Sequence, residues 1–310
     1  MYMKKTNTLY YIKPLDESTM EDWDIFVSHH PAASFFHTSQ WLAVERESFR
    51  TKLQCFLIYE KKQEQVVAVC PMALVKEGRL PKLAPLPHAD IRTILIDRTE
   101  EGKELREFIF AACQRIAREN GCLFSVVITD NPKDIQIPHF QNYQDWTRDI
   151  GTMVVDLQNM PPEHIWNKVF TAKRHQRKYI KRFEQEGFQV REISSENEWE
   201  EFYTYYCQNL ATIGVKPYAR SHFDDLARLL PKGSVRATLL AKGEQTAGGL
   251  ITVIDASHST MYLRYLSLNR EFSNYYHPPY PLFWDAIQKA GEMGLCRVNL
   301  GLSERDPSDA

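Results

Sequence analysis

No charge of one sign dominates this sequence: 38 basic and 40 acidic side chains in 310 residues leave a net charge of −2. A chain so balanced does not coat itself with nucleic acid, so any polyanion it binds must meet a local patch. Its six cysteines, Cys55, Cys70, Cys113, Cys122, Cys207 and Cys296, form no CxxC pair and lie mostly inside apolar runs. That excludes a zinc ribbon or a disulfide framework and fits buried thiols in a reducing compartment. Long apolar runs are missing as well. The longest, such as Leu123 to Ile128, are strand-sized and far short of the ~20 residues a membrane span needs. Lysines 4 and 5 are followed by no apolar core of a signal peptide. A cytoplasmic protein without a membrane span is expected. HExxH, GxSxG and metal-ligand clusters are absent, which leaves nothing to support a hydrolase, and no metal is expected.

What is present is an ordinary globular composition, 43% hydrophobic and 25% charged, in a chain long enough for roughly two domains. Its most unusual stretch runs from Lys168 to Gly187. Between Lys168 and Arg182 stand seven Lys or Arg residues, His175 and no acid. Val169, Phe170, Tyr179, Ile180 and Phe183 recur at helical spacing, so one amphipathic helix with a cationic face is expected, stopped at Gly187. Such a face is either simply solvated or a docking surface for phosphates.

Along the rest of the chain, the spacing predicts helices over Met20–His29 (Ser18 as its cap), from about Gln40, over Lys103–Asn120, Glu196–Thr212, Ser221–Leu230 and Leu282–Met293. Two hairpins are expected, LQCFLIYE–KKQEQ–VVAVCPMALV and VRATLLA–KGEQ–TAGGLITVID. Between them the proline-rich RLPKLAPLPHAD reads as an irregular crossing. The halves rhyme: LIYEKKQEQVVAVCPMAL answers LLAKGEQTAGGLITVI, and FAACQRIARENGCLFSVVI answers WDAIQKAGEMGLCRVNL. Gln65 pairs with Gln245 and Gln114 with Gln288, at similar offsets, which points to an internal duplication of one αβ unit. The fold class expected is α/β with mixed sheets, in two domains, residues 1–150 and 151–310.

Four weak motifs in order, SFFHTSQWL, the basic stretch with TMVVDL and EHIW before it, GVKPYARSHF, and the closing VNLGLSERDPS, resemble FemAB-type acyltransferases over about Pro31 to Asp306. The resemblance implies two tandem domains of the GNAT fold with a cleft between them. It implies transfer of an acyl or aminoacyl group, from acyl-CoA or aminoacyl-tRNA, to an amine on a cell-envelope precursor or sugar. Relatives include peptidoglycan-bridge aminoacyltransferases and polysaccharide-linked enzymes. The sequence departs from the pattern in three respects. There is no room for the helical arm of the larger members, and the chain stops at Ala310, so the second domain is expected either to lack its last strands or to close its sheet differently. The Gly-rich pyrophosphate loop of acetyl-CoA-binding members is missing from both halves. That weakens acetyl-CoA as the donor, although a helix N-terminus still offers N–H groups to an anion.

Acyl transfer to an amine needs positioning, proton uptake and oxyanion stabilisation, and with an activated donor a dedicated base is optional. Arg174, Arg177 and Lys178 are the expected phosphate contacts, since helical spacing lets them meet one anion. Arg220, beside Tyr218, falls where the resemblance implies an arginine gripping the acceptor's anionic group. Tyr262 and Arg264 are expected on one face of a strand and Tyr265 on the other, with Tyr262 as a candidate catalytic residue. His37 is placed with it, as are Gln40 and Trp41 as substrate contacts, although Trp41 reads more readily as a core anchor. Tyr276, with Tyr275 and His277, occupies the turn before the last helix, where a donor carbonyl would approach. Ser303, Asp306, His88 and Asp90 rank below these. The acceptor is expected to be small or nucleotide-linked, with tRNA a further partner. The alternative of a different class is a non-catalytic tandem module that holds RNA or a nucleotide-linked ligand through the basic helix.

Overall fold

The computed structural model describes residues 9–97, 102–127, 150–170, 175–273 and 277–304. The chain divides into two compact units, Met1–Asp149 and Ile150–Ala310.

The first unit contains β1 (Tyr10–Pro14), α1 (Met20–His29), α2 (Ser39–Glu47), β2 (Lys52–Leu53), β3 (Phe56–Glu60), β4 (Gln65–Cys70), β5 (Met72–Glu77), β6 (Leu80–Pro85), β7 (Leu95–Ile96), α3 (Lys103–Glu119) and β8 (Phe124–Ser125). Its strands form two four-stranded sheets, β1-β3-β4-β7 and β2-β5-β6-β8. The core gathers Phe56, Ile58, Met72 and Leu83 under Ile109 and Cys113 of α3. Ser18 is not the cap of α1; Thr19 precedes the helix, and its hydroxyl donates to the Pro14 carbonyl and accepts from the Asp16 N–H. The proline-rich crossing begins as a strand, contrary to expectation. Pro81 and Pro85 stand either side of Leu83, and the carbonyls of Pro81 and Leu83 point toward β8. On that side the β6–β8 ladder is only Lys82↔Phe124 and Leu83↔Ser125, so the missing proline N–H groups interrupt little.

The second unit contains β9 (Ile150–Asp156), α4 (Pro162–His164), α5 (Gln176–Gln185), β10 (Gln189–Glu192), α6 (Glu196–Thr212), α7 (Arg220–Leu229), β11 (Val235–Lys242), β12 (Gln245–Asp255), β13 (Thr260–Leu268), α8 (Arg270–Ser273), α9 (Pro279–Glu292) and β14 (Arg297–Glu304). One sheet runs β10-β11-β12-β13-β14-β9. All its ladders are antiparallel except β13–β14. The outer place beside β14 is taken by β9, drawn from the start of the unit. Helices α5 and α9 cover one face, packing Ile180, Phe183 and Leu282 on Leu250, Met261 and Leu263. Helices α6 and α7 cover the other, where Phe202, Tyr206 and Phe223 meet Gly249 and Tyr265.

The basic stretch is not one helix. After α4 the chain makes a wide turn closed by the Phe170 N–H on the Ile165 carbonyl (2.8 Å). His175, at φ +62°, is left-handed, and α5 starts only after it. Arg174 lies outside the described residues, so the expected triad with Arg177 and Lys178 on one helix is not formed by α5.

The rhyme between halves is a structural repeat. Gln65 opens β4 and Gln245 opens β12. In each hairpin the register slips at the same place, leaving Val67 and Ala247 bulged. The bulged carbonyl is then used alike: Val67 accepts from the Asp97 N–H (2.8 Å) and Ala247 from the Asn269 N–H (3.1 Å). Both units continue with an antiparallel strand, a long helix (α3, α9) and a parallel strand (β8, β14).

Candidate active site

The second unit's sheet opens where β13 meets β14. Their ladder has three rungs, Thr260↔Arg297, Met261↔Val298 and Tyr262↔Asn299. Both strands run on, but among the described residues no further rung joins them. Each arm bends at a bulge. On β13, Ile251 faces Tyr265 and Thr252 faces Leu263, so Arg264 is the extra residue. On β14, Asn299 faces Val154 and Leu302 faces Thr152. There Gly301 has φ +103°, which favours glycine, and its N–H is held by the buried Asn299 side chain (2.9 Å). Parting strands present main-chain N–H and C=O groups to whatever enters the fork. Because α9 leads back to the zipped end at Arg297, its N-terminus stands at the open end.

The bulge corrects one expectation. Alternation alone separates Tyr265 from Tyr262. With Arg264 inserted, Tyr265 returns to Tyr262's face, away from Met261 and Leu263, which point into the α5–α9 core. The Arg264 guanidinium carbon sits 5.6 Å from the Tyr265 ring centre.

Beneath this face lies a buried polar pair the sequence did not single out. His222 Nε2 and the Tyr265 hydroxyl are 2.7 Å apart, and both residues are almost fully buried. Tyr218 flanks them, its ring 5.0 Å from His222 and 6.1 Å from Tyr265. Tyr206 closes the group, its hydroxyl pKa pushed up chiefly by burial. Tyr203, also shifted up by burial, donates to the Tyr218 carbonyl (3.1 Å). These two phenols stay neutral near pH 7 and can donate hydrogen bonds there. His222 stands inside the motif GVKPYARSHF, and that motif was the one signal for it.

Other expected residues have different duties. Arg220 does not offer an open guanidinium: it meets Asp224 (2.9 Å), Glu196 (3.0 Å) and Glu200 (3.8 Å) and covers the Trp199 ring. An arginine so surrounded by acids ties the start of α7 to α6. Arg177 donates from Nε and Nη2 to the Trp166 carbonyl and from Nη2 to Asn167 Oδ1 (3.2 Å), clamping the wide turn. Lys178 is exposed on α5.

In the first unit, His37 is fully buried. Its Nδ1 accepts from the Ser34 N–H (3.2 Å), so Nε2–H donates to the Thr93 carbonyl (3.0 Å). This corrects its expected catalytic role, since one ring nitrogen holds the Ser34–His37 turn and the other ties that turn to Thr93. Trp41, also fully buried, packs edge-on against Phe35 and Phe36 and is the core anchor it resembles; Gln40 beside it is exposed. His88 bonds through Nδ1 (2.9 Å) and its N–H (3.0 Å) to the buried Glu45 carboxylate, which fastens the loop after β6 to α2. An open shelf over α1, lined by Glu17, Glu21 and Asp24 among others, is acidic and unsuited to a phosphate. Tyr276, Tyr275 and Asp306 lie outside the described residues, and no group of His, Cys, Asp and Glu that could hold a metal occurs among those described.

Residues 171–306 match the acetyltransferase (GNAT) domain family. FemX has a similar structure over 95% of this chain and 90% of its own, with a TM-score of 0.65 and 13% identity. A tandem GNAT protein from the clavulanic acid biosynthesis pathway, solved without AcCoA, matches over 96% of this chain and 90% of its own (TM-score 0.56, 13% identity). The C-terminal domain of a putative lysylphosphatidylglycerol synthetase from Agrobacterium fabrum matches over 93% and 79% (0.52, 12%). No curated protein matches. The fold and the matched domain define a structural class, the tandem GNAT fold. Within that class the architecture is FemAB-like, the chain being similar to FemX along nearly its whole length.

Acyl-CoA is one donor such a fold can use, and a donor lying along the fork would bring its carrier's phosphates toward the first turn of α9 at the open end. The residues do not suit it. Pro278, Pro279 and Pro281 have no N–H, and the Tyr280 N–H already donates to the His277 carbonyl (3.1 Å). The expectation that this helix start still offers N–H groups to an anion is thus corrected.

Proposed function

We propose that the protein transfers an acyl or aminoacyl group from an activated ester or thioester to an amine on a small or nucleotide-linked acceptor of the cell-envelope precursor or sugar class. The observation that carries this reading is the β13–β14 fork, bulged on both arms, inside the unit that matches the GNAT domain. In this reading the donor carbonyl lies along the fork against main-chain groups. The amine attacks its carbon, the bond to the carrier's sulfur or oxygen breaks with its electron pair leaving on that atom, and the proton lost by the nitrogen neutralises the departing thiolate or alkoxide. Tyr262 and Arg264 stand at the branch point, where a donor of hydrogen bonds to the developing oxyanion is worth most. The envelope assignment draws on the likeness to FemX. No helix among the described residues is long and apolar enough to cross a membrane.

The test incubates the protein with acyl-CoAs or charged tRNA and with UDP-linked muramyl peptides or amino sugars, and reads products by mass spectrometry. One acylated acceptor is expected, with Arg264→Met slowing its formation about 100-fold. Absence of product from every pairing, or full activity in Arg264→Met, would count against the reading.

A further inference from the structure

Among the described residues, the start of α9 offers an anion no free backbone N–H. A helix N-terminus binds phosphate with the N–H groups of its first turn, which have no partner inside the helix. Here the residue before the helix is Pro278, the first helical residue is Pro279 and the third is Pro281. Between them, Tyr280 gives its N–H to the His277 carbonyl. The repeat supplies an internal comparison. Helix α3, the counterpart in the first unit, opens on Gly102, Lys103, Glu104 and Leu105, each with an N–H. The loss therefore belongs to α9 and is not inherent in the architecture.

Aromatic side chains gather at this helix start. Tyr179 of α5 stacks on Tyr280, with ring centres 5.6 Å apart and planes 3° from parallel, and meets the edge of His277 at 4.4 Å. The exposed Lys178 is next to Tyr179 on α5. Such groups offer charge and stacking surface, but no cradle of converging N–H groups around a diphosphate.

We infer that the second unit does not seat a coenzyme A thioester by its pyrophosphate, that Pro279 and Pro281 are the residues that exclude it, and that the donor is an activated acyl compound whose carrier has no pyrophosphate to place there. The inference rests on the reading of the fork as the donor site. It is tested by calorimetric titration of the full chain with coenzyme A and with inorganic pyrophosphate, comparing the native protein with Pro279→Ala and with Pro279→Ala/Pro281→Ala. The native protein should give no saturable heat up to about millimolar ligand, and the variants should gain affinity by about tenfold. Pro281 is buried, so its substitution can cost stability; Pro279 is half-buried, and its variant carries the test alone once its melting curve is shown to be native-like. Micromolar binding of coenzyme A by the native protein would overturn the inference, as would a folded Pro279→Ala variant with no gain. Micromolar binding would leave the acyltransferase reading standing, since that reading is judged by product formation and the Arg264→Met variant and not by affinity for coenzyme A.

Discussion

Gly249 shows how little room single residues leave in this sheet. A Cβ built there would lie 2.6 Å from a ring carbon of Phe202, 2.8 Å from the Thr238 carbonyl oxygen and 2.9 Å from Leu239. The glycine lets α6 lie directly on β12. Gly249→Ala should cost about 1–3 kcal/mol through overpacking, read as a lower urea midpoint with an unchanged slope. An unaltered midpoint would show that α6 can lift without penalty. At this scale the sequence was only partly readable. Trp41 as a core anchor follows from its size and setting, but Arg220 looked open because its carboxylate partners Glu196 and Glu200 come from another helix. Period-two alternation puts Tyr265 on the wrong face because it cannot register an inserted residue, and the His222 contact depends on that face.

Among elements, α6 carries Tyr203 and Tyr206 to the candidate site, and its first turn is fixed by charge. Glu198 accepts from the Arg191 guanidinium and from the N–H and hydroxyl of Ser194, while the Ser195 hydroxyl accepts from the Glu198 N–H. The bond from Arg191, ahead of those from Ser194, pulls the Glu198 carboxyl down to about 2. A depressed folded-state pKa stabilises above the unfolded value and ceases to do so as pH falls through the folded one. Glu198→Gln should therefore lower the melting temperature at neutral pH, and the gap to the native protein should close between about pH 4.5 and pH 2. A gap that is constant with pH would assign the effect to shape and not to charge. The long helices were legible from spacing, while the four-residue α8, in a stretch that reads as loop, and the break before α5 were not. Nothing in the letters of KRHQRK announces that His175 turns left-handed, a conformation that costs a non-glycine residue.

Across the molecule, the duplication was legible because it survives in the lengths of elements and in two pairs of glutamines. The shared bulge at Val67 and Ala247 was not, since valine and alanine give no signal of it. Overall charge leads to a prediction at the same scale. With a net charge of −2, measurable attraction to a polyanion must come from a patch, and α5 presents Lys178 and Lys181 to solvent. Retention on heparin should weaken with salt and fall sharply in Lys178→Glu/Lys181→Glu. Retention unchanged by that double reversal would locate the contact away from α5.

The fork between β13 and β14 has a consequence for inheritance. Amide groups are identical under every side chain, so a pocket drawn by strand offset constrains few codons, and substitutions can accumulate around it without erasing it. A likeness of this kind is carried by shape and not by spelling: the chain shares 13% of its residues with FemX and still traces 95% of its length along it.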